Sequence, residues 1–306
     1  MCPEKTIEAG ARIAVIGTGI MGAHLARRLA EAGFDVVALD NDPAKLDALK
    51  THGIDVAETP AAALPGASVA LVMLPTGDVV DEVLFKGPDP AITALEPGAT
   101  LLVMSSIPVE QCRAQGALAV ERGLIFVEAP VSGGEDGARD GTLTILAGGD
   151  ADAIAALAPV FAPLGTPHHM GGIGMGQTAK LTNQILVGAN LLGVAEAFRF
   201  AANAGVDLGA LHRALGGGFG ASRVLDLHGA RMIAKDYEPG SPSMYQLKDL
   251  RTARDFADTL EMDAPFLNTL ISWFAAMSEQ GYGARDVAAI FEVESADPPI
   301  DTGLAQ

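Results

Sequence analysis

The sequence predicts a doubly wound α/β domain followed by an all-α domain, joined through one long helix. Three observations carry this reading. Apolar β-type runs alternate with helical spacers through the first half, a glycine-rich turn joins the first run to the first helix, and strand-like runs cease after about residue 171. Residues 12–16 (RIAVI) form the first strand and enter the glycine-rich turn. Residues 21–32 are helical, with Gly33 as the residue past the helix end. Residues 35–39 (DVVAL) make a second strand that stops at Asp40, and Pro43, a favoured first helical residue, opens a short helix over 43–50. Further strands fall at 69–74, 100–104, 124–129 and 142–148. The segment 171–177 (GGIGMGQ) reads as a flexible hinge and divides the chain into domains 1–173 and 174–306. From Gln177 to about Ala204 runs a helix that is apolar on most sides and is therefore expected to be buried. More helices are expected at 206–215, 222–235, 245–260 and 264–280, and the tail from Asp297 is expected to fray.

Composition narrows the function. With 49% hydrophobic and 19% charged residues the chain is globular, and its mean hydropathy of +0.29 implies extensive burial, partly between subunits. A net charge of −18 excludes a nucleic-acid partner, because phosphate binding needs a basic face. The richest apolar stretches are broken by Gly, Asn or charge, so no membrane partner is expected. The first residues show no apolar signal region, and two cysteines, Cys2 and Cys112, make neither a disulfide framework nor a metal cluster, so a cytoplasmic location is expected. An anionic ligand must then be held by helix N-termini, backbone N–H groups and a few lysines.

Residues 17–22 read Gly-Thr-Gly-Ile-Met-Gly, the G-x-G-x-x-G pattern, between a strand and a helix as a Rossmann dinucleotide site requires. Gly17 makes the tight turn, Gly19 lets backbone approach a pyrophosphate, Gly22 permits close helix–strand packing, and Ile20 and Met21 open the helix whose N-terminus receives the anion. Asp40, 18 residues after Gly22 at the second strand's end, suits the adenosine ribose hydroxyls and repels a 2′-phosphate, which favours NAD over NADP; Lys45 is the nearest downstream cation. Asp40 could equally just open the turn Asp-Asn-Asp-Pro. The later strand ends, Leu74-Pro75-Thr76 and Ser105-Ser106-Ile107-Pro108, should line the same crevice.

Two features suggest chemistry. Ser132-Gly133-Gly134 directly follows a strand, and such a turn can aim successive backbone N–H groups at a small carboxylate substrate. Lys180 lies just past the glycine-rich segment, with Asn183 and Gln184 at i+3 and i+4 on the same helical face. A lysine desolvated on an apolar helix suits acid–base work near neutral pH, more so if Lys248 meets it; on periodicity alone it could equally extend to solvent. His168-His169 resembles a metal pair at a strand end, but no third ligand is spaced nearby, and no metal is expected.

Together these motifs resemble the β-hydroxyacid dehydrogenases, the group that includes 3-hydroxyisobutyrate dehydrogenase and tartronate semialdehyde reductase. The resemblance covers nearly the whole chain in order: 17–22, 74–75, 105–108, 129–149, 174–184, 245–257 and 285–289. It implies hydride transfer between NAD and the 3-hydroxyl, or aldehyde, of a small carboxylic acid. It implies that Lys180 is the general acid/base, that Ser132, Gly133 and Gly134 hold the substrate carboxylate, that Ser106 lies near the nicotinamide ribose, and that Lys248 approaches the cofactor. The family commonly has Asn-Asn after the lysine, the second Asn binding substrate; here the pair is Asn183-Gln184, which leaves the identity of the acid open. Imine reductases share the architecture but usually lack the lysine, and 6-phosphogluconate dehydrogenases carry a longer helical domain. A non-enzymatic NAD-binding scaffold would need neither Lys180 nor the serine–glycine loop.

Overall fold

A computed structural model describes residues 6–294, so the tail from Asp297 lies outside the described residues. The chain divides into two compact units, Met1–Lys180 and Leu181–Gln306. The first unit is built on a nine-stranded sheet: β1 (Arg12–Ile16), β2 (Asp35–Leu39), β3 (Asp55–Ala57), β4 (Val69–Val72), β5 (Thr100–Val103), β6 (Ile125–Glu128), β7 (Val131–Ser132), β8 (Leu143–Gly149) and β9 (Gly165–Gly171). Strands β1 to β6 are parallel in the order β3-β2-β1-β4-β5-β6, the doubly wound arrangement. Ile13 and Val15 enter the core on one face, whereas Ala14 and Ile16 enter the core on the other. Burial on both faces is why RIAVI reads as an unbroken apolar run rather than an alternating one.

The sheet departs from the expected parallel pattern at its far end. Strand β8 runs antiparallel to both β6 and β7. The pairing is in a single register, Glu128 opposite Gly148 and Val131 opposite Ile145, so β6 and β7 are one strand interrupted at Ala129-Pro130. That interruption delivers Ser132 to the start of a short helix, Gly134–Asp140. His168 and His169, expected at a strand end, sit on exposed positions within β9, and among the described residues no cluster of three or more His, Cys, Asp or Glu could hold a metal.

The long helix spans Met175–Asn203. Contrary to expectation, it is not buried all round. Leu191, Ala195 and Phe198, spaced along one face, are buried, but Leu186 is 59% and Phe200 78% exposed. A helix apolar on several faces needs more than one covering layer, and within the single chain part of its surface stays open. Its most apolar window has a mean hydropathy of 1.5, enough by length and composition to cross a membrane, although the helix as a whole carries Lys180, Asn183, Gln184, Glu196 and Arg199.

The second unit packs the helices Leu208–Leu215, Ala230–Ala234, Ser243–Thr259 and Pro265–Met277 around Leu225, Met232, Leu250, Leu267, Leu270 and Phe274. The helix expected at 222–235 begins at Arg223, passes through a π-helical turn, Leu225–Gly229, and ends at Lys235 in the left-handed conformation. A buried carboxylate organises this unit. Asp286 accepts hydrogen bonds from the Ser241 and Ala288 N–H groups, each 3.0 Å away, and pairs with Arg231 Nη1 at 2.8 Å.

Candidate active site

Each glycine of the 17–22 turn has a distinct physical reason. Gly17 has φ +92°, and a Cβ there would stand 2.9 Å from Leu74 Cδ2 and nearer still to the Met73 carbonyl oxygen. A Cβ on Gly22 would come 2.9 Å from the Gly17 carbonyl carbon, inside contact distance. Gly19 differs, because a Cβ there would meet nothing within 4 Å. Its lack of a side chain serves open space in front of the loop, the space a pyrophosphate would take. Gly19 also caps the helix Ile20–Glu31 without a side-chain hydrogen bond, and no acid lies in that helix's first turn. Ile20 is exposed and Met21 partly so. The first-turn N–H groups and the positive end of the helix dipole thus meet no competing protein carboxylate on the helix itself, and the residues present fit a dinucleotide.

Asp40 lies at the end of β2, as expected, but its carboxylate is already engaged. Oδ2 accepts from Thr18 N–H at 2.8 Å and Thr18 Oγ1 at 3.2 Å; Oδ1 accepts from Asp42 N–H at 3.0 Å and Lys45 Nζ at 3.2 Å. Burial pushes this carboxyl up, but the hydrogen bonds from Thr18 and Asp42 and the Lys45 charge outweigh it, and its pKa falls below the ordinary value. Asp40 therefore ties the nucleotide loop at Thr18 to the end of β2.

The strand ends after β4 and β5 are tied together. Leu74 N–H donates to Ser105 Oγ at 2.8 Å. Pro75 is exposed beside it and Ser106 is partly buried. The Gln177 side chain then bridges the residues on both sides of Ser106: its Nε2 donates to Ser105 O at 2.9 Å, and its Oε1 accepts from Ile107 N–H at 3.1 Å.

The segment read as a flexible hinge is fastened. Glu128, fully buried at the end of β6, accepts from Gly174 N–H at 2.7 Å, Gly176 N–H at 2.9 Å and Gln177 N–H at 2.8 Å. Neither Glu128 nor Gln177 stood out in sequence, although an acid closing an apolar strand (LIFVEA) and a glutamine ending a glycine-rich turn were both there to see. Burial raises the Glu128 carboxyl, opposed by these three N–H groups and by the buried Cys112 thiol, whose own pKa burial drives up.

Ser132, Gly133 and Gly134 form the turn between β7 and its short helix, with φ +137° at Gly133 and +62° at Gly134, conformations that favour glycine. Both glycines are exposed. Lys180, for which periodicity left burial and extension to solvent equally open, is partly buried, and its Nζ donates to Val131 O at 2.8 Å. The lysine amine is thereby held on the residue immediately preceding Ser132.

Asn183 and Gln184 follow on the same helix and belong to the second unit. Gln184 has a structural partner set: its Nε2 donates to Gln246 Oε1 at 3.0 Å and Asp249 Oδ2 at 2.8 Å, and its Oε1 accepts from Asn183 Nδ2 at 3.1 Å. The extra methylene relative to asparagine lets the amide reach the helix Ser243–Thr259. Lys248 lies on that helix with Nζ 3.1 Å from Asp249 Oδ1.

A family model described as the NAD binding domain of 6-phosphogluconate dehydrogenase matches residues 12–176, and one described as NAD-binding of NADP-dependent 3-hydroxyisobutyrate dehydrogenase matches residues 174–293. The chain is 36% identical to the 2-hydroxy-3-oxopropionate reductase of Escherichia coli, over 92% of this chain and 96% of that protein. It is 32% identical to the NAD-dependent L-serine dehydrogenase of Pseudomonas aeruginosa, over 91% and 96%. A crystal structure of 3-hydroxyisobutyrate dehydrogenase from Salmonella typhimurium superposes with a TM-score of 0.85 at 26% identity, covering 92% of this chain and 99% of that one. The nucleotide turn, the serine–glycine loop, the lysine helix and these likenesses converge: the chain belongs to the β-hydroxyacid dehydrogenases, NAD(P)-dependent oxidoreductases that act on CH–OH groups.

Proposed function

We propose that this enzyme interconverts a small 3-hydroxy acid and its aldehyde or ketone, with Lys180 as general acid/base and NAD as the preferred cofactor. The observation that carries the reading is the 2.8 Å hydrogen bond from Lys180 Nζ to Val131 O, which sets the amine next to Ser132-Gly133-Gly134. A carboxylate on that turn presents its 3-hydroxyl to the amine. Both charge states of an amine can donate to a carbonyl, so Val131 holds Lys180 through the proton transfer. In oxidation neutral Lys180 takes the hydroxyl proton; in reduction charged Lys180 returns it. NAD supplies the hydride acceptor. The open space at Gly19 and the uncapped first turn of the helix Ile20–Glu31 would hold its pyrophosphate, and Leu74, Pro75 and Ser106 would line its nicotinamide end. Asp40 disfavours a 2′-phosphate, which supports NAD over NADP.

Asn183 is the better candidate of the amide pair to orient the substrate oxygen, because the Gln184 amide is committed to Gln246 and Asp249. Substrates consistent with the relatives' names are 3-hydroxyisobutyrate, 2-hydroxy-3-oxopropionate, L-serine and L-threonate. We place the enzyme in the cytoplasm as a homodimer or homotetramer, the exposed Phe200 and Leu186 of the long helix supporting self-association. The test is a panel of these acids with NAD and NADP, following absorbance of the reduced cofactor, on wild type and Lys180→Ala. The variant is expected to fold and bind NAD but to lose most turnover; near-normal turnover would remove Lys180 from the chemistry.

A further inference from the structure

We propose that Glu128 and Gln177 are positioning residues for Lys180, locking the first turn of its helix to the Ser105–Ile107 loop so that the amine and the nicotinamide end of the site keep one fixed relation. This rests on the reading of Lys180 as the acid/base given above.

Buried polar groups concentrate at the start of the long helix. A long helix leaves its first backbone N–H groups without partners inside the helix. Here a carboxylate from another element supplies them: Glu128 Oε1 takes the N–H groups of Gly174 and Gly176, and Oε2 takes that of Gln177. Glu128 and Gln177 are both fully buried. The surroundings are cut to admit the carboxylate. A Cβ on Gly148, opposite Glu128 across the β6–β8 pairing, would stand 3.0 Å from Glu128 Cδ, and one on Gly176 would stand 3.2 Å from it. Removing a carboxyl group from water is costly unless hydrogen bonds compensate, and here three backbone N–H groups do so while fixing the helix start to the end of β6.

The Gln177 side chain carries the link onward. Its amide contacts Ser105 O and Ile107 N–H, the backbone groups flanking Ser106, and Ser105 in turn receives Leu74 N–H on its hydroxyl. The chain of bonds therefore runs from the two strand-end loops expected at the nicotinamide, through Gln177, to Glu128. Lys180 is three residues past Gln177 on one continuous helix, so it stands on the same side one turn later. Its second fixed point is Val131 O, on the strand that continues Glu128's own. The lysine is thus located by two elements that Glu128 joins. Reacting groups held this way lose rate steeply when displaced, about a hundredfold for a shift near 1 Å.

The test uses the whole protein and two variants of similar shape, Gln177→Met and Glu128→Gln. The first removes both bonds to the Ser105–Ile107 loop. The second places a donor where Glu128 now only accepts. Gln177→Met is expected to bind NAD within about twofold of wild type, to keep KM within about threefold and to lose about ten- to a hundredfold in kcat. A primary deuterium isotope effect on kcat is expected to appear or grow, because a misplaced proton acceptor slows the chemical step itself. A purely packing role would lower the melting temperature and leave the isotope effect and the kcat-to-KM split where they were. In parallel, amide hydrogen exchange on the NAD-loaded protein is expected to quicken at residues 176–180 in both variants and to stay unchanged at residues 12–22. Turnover and exchange both equal to wild type in Gln177→Met would overturn the proposal. If the wild type turns over no hydroxy acid, the proposed function falls, and the exchange measurement alone decides whether Glu128 and Gln177 fix this turn: unchanged protection at 176–180 overturns it.

Discussion

Substituting the glycines of the nucleotide turn one at a time separates folding from binding. Gly22→Ala places a methyl 2.9 Å from the Gly17 carbonyl carbon, between the helix Ile20–Glu31 and the turn, where neither backbone can yield. Overpacking of this kind costs about 1–3 kcal/mol. For a domain of this size that lowers the melting temperature by about 2–10 °C. Gly17→Ala meets Met73 and Leu74 as closely and adds the left-handed backbone, φ +92°, at about 1–2 kcal/mol more. Gly19→Ala meets nothing within 4 Å. As an N-cap change with no steric clash it is expected to lower the melting temperature of the apo protein clearly less than Gly22→Ala does. Its methyl does intrude on the open space before the uncapped helix start. Losing one charge-assisted hydrogen bond to a pyrophosphate costs about 1.5–3 kcal/mol, or about ten- to a hundredfold in NAD affinity. Scanning calorimetry of the apo proteins and isothermal titration with NAD give the two readouts. If Gly19→Ala bound NAD as wild type does, or melted as early as Gly22→Ala, the reasoning that assigns Gly19 to the ligand and Gly22 to packing would be wrong.

Other substitutions test the remaining groups. Asp40→Asn removes the negative charge beside Lys45, so the ratio of NADP to NAD affinity is expected to rise about tenfold in titrations at low salt. Because the folded carboxyl sits below its ordinary value, Asp40 stabilises the fold above the ordinary carboxylate range, and that contribution disappears as pH falls through the folded pKa; the stability gap to Asp40→Asn should close in acid. Asp286→Ala leaves Arg231 and two N–H groups without their buried acceptor and is expected to destabilise the helical unit by about 3 kcal/mol in urea unfolding. The Asp286 carboxyl is likewise depressed, the nearby His228 side chain, the Ala288 N–H and the Arg231 charge overcoming burial, so this loss too should shrink as pH falls below the ordinary carboxylate value. Gln184→Ala should cost about 1–3 kcal/mol, because Gln246 and the buried Asp249 lose a partner, while kcat falls less than in Lys180→Ala; a kcat loss equal to that of Lys180→Ala would return Gln184 to the substrate.

Much of this protein is written in local pattern. Strand–helix alternation, the G-x-G-x-x-G turn, Asp40 at the end of the second strand and Lys180 early on a long apolar helix were all legible, because each depends on residues near one another in the chain. Tertiary structure decided what depends on partners distant in sequence. The antiparallel return of β8 joined β6 and β7 into one interrupted strand, which no local periodicity announces. A glycine-rich segment that reads as mobile is held by Glu128, 46 residues upstream of Gly174, because unpaired N–H groups at a helix start draw a buried acceptor wherever the fold supplies one. Gln184 stands where the resemblance places a substrate ligand, and only the folded chain shows its amide also reaching Gln246 and Asp249. The sequence by itself determined most of the elements and the motifs that carry the family resemblance. Only the folded chain determined which of those polar groups already have partners, since hydrogen-bond satisfaction is a property of the whole packed interior and not of any segment.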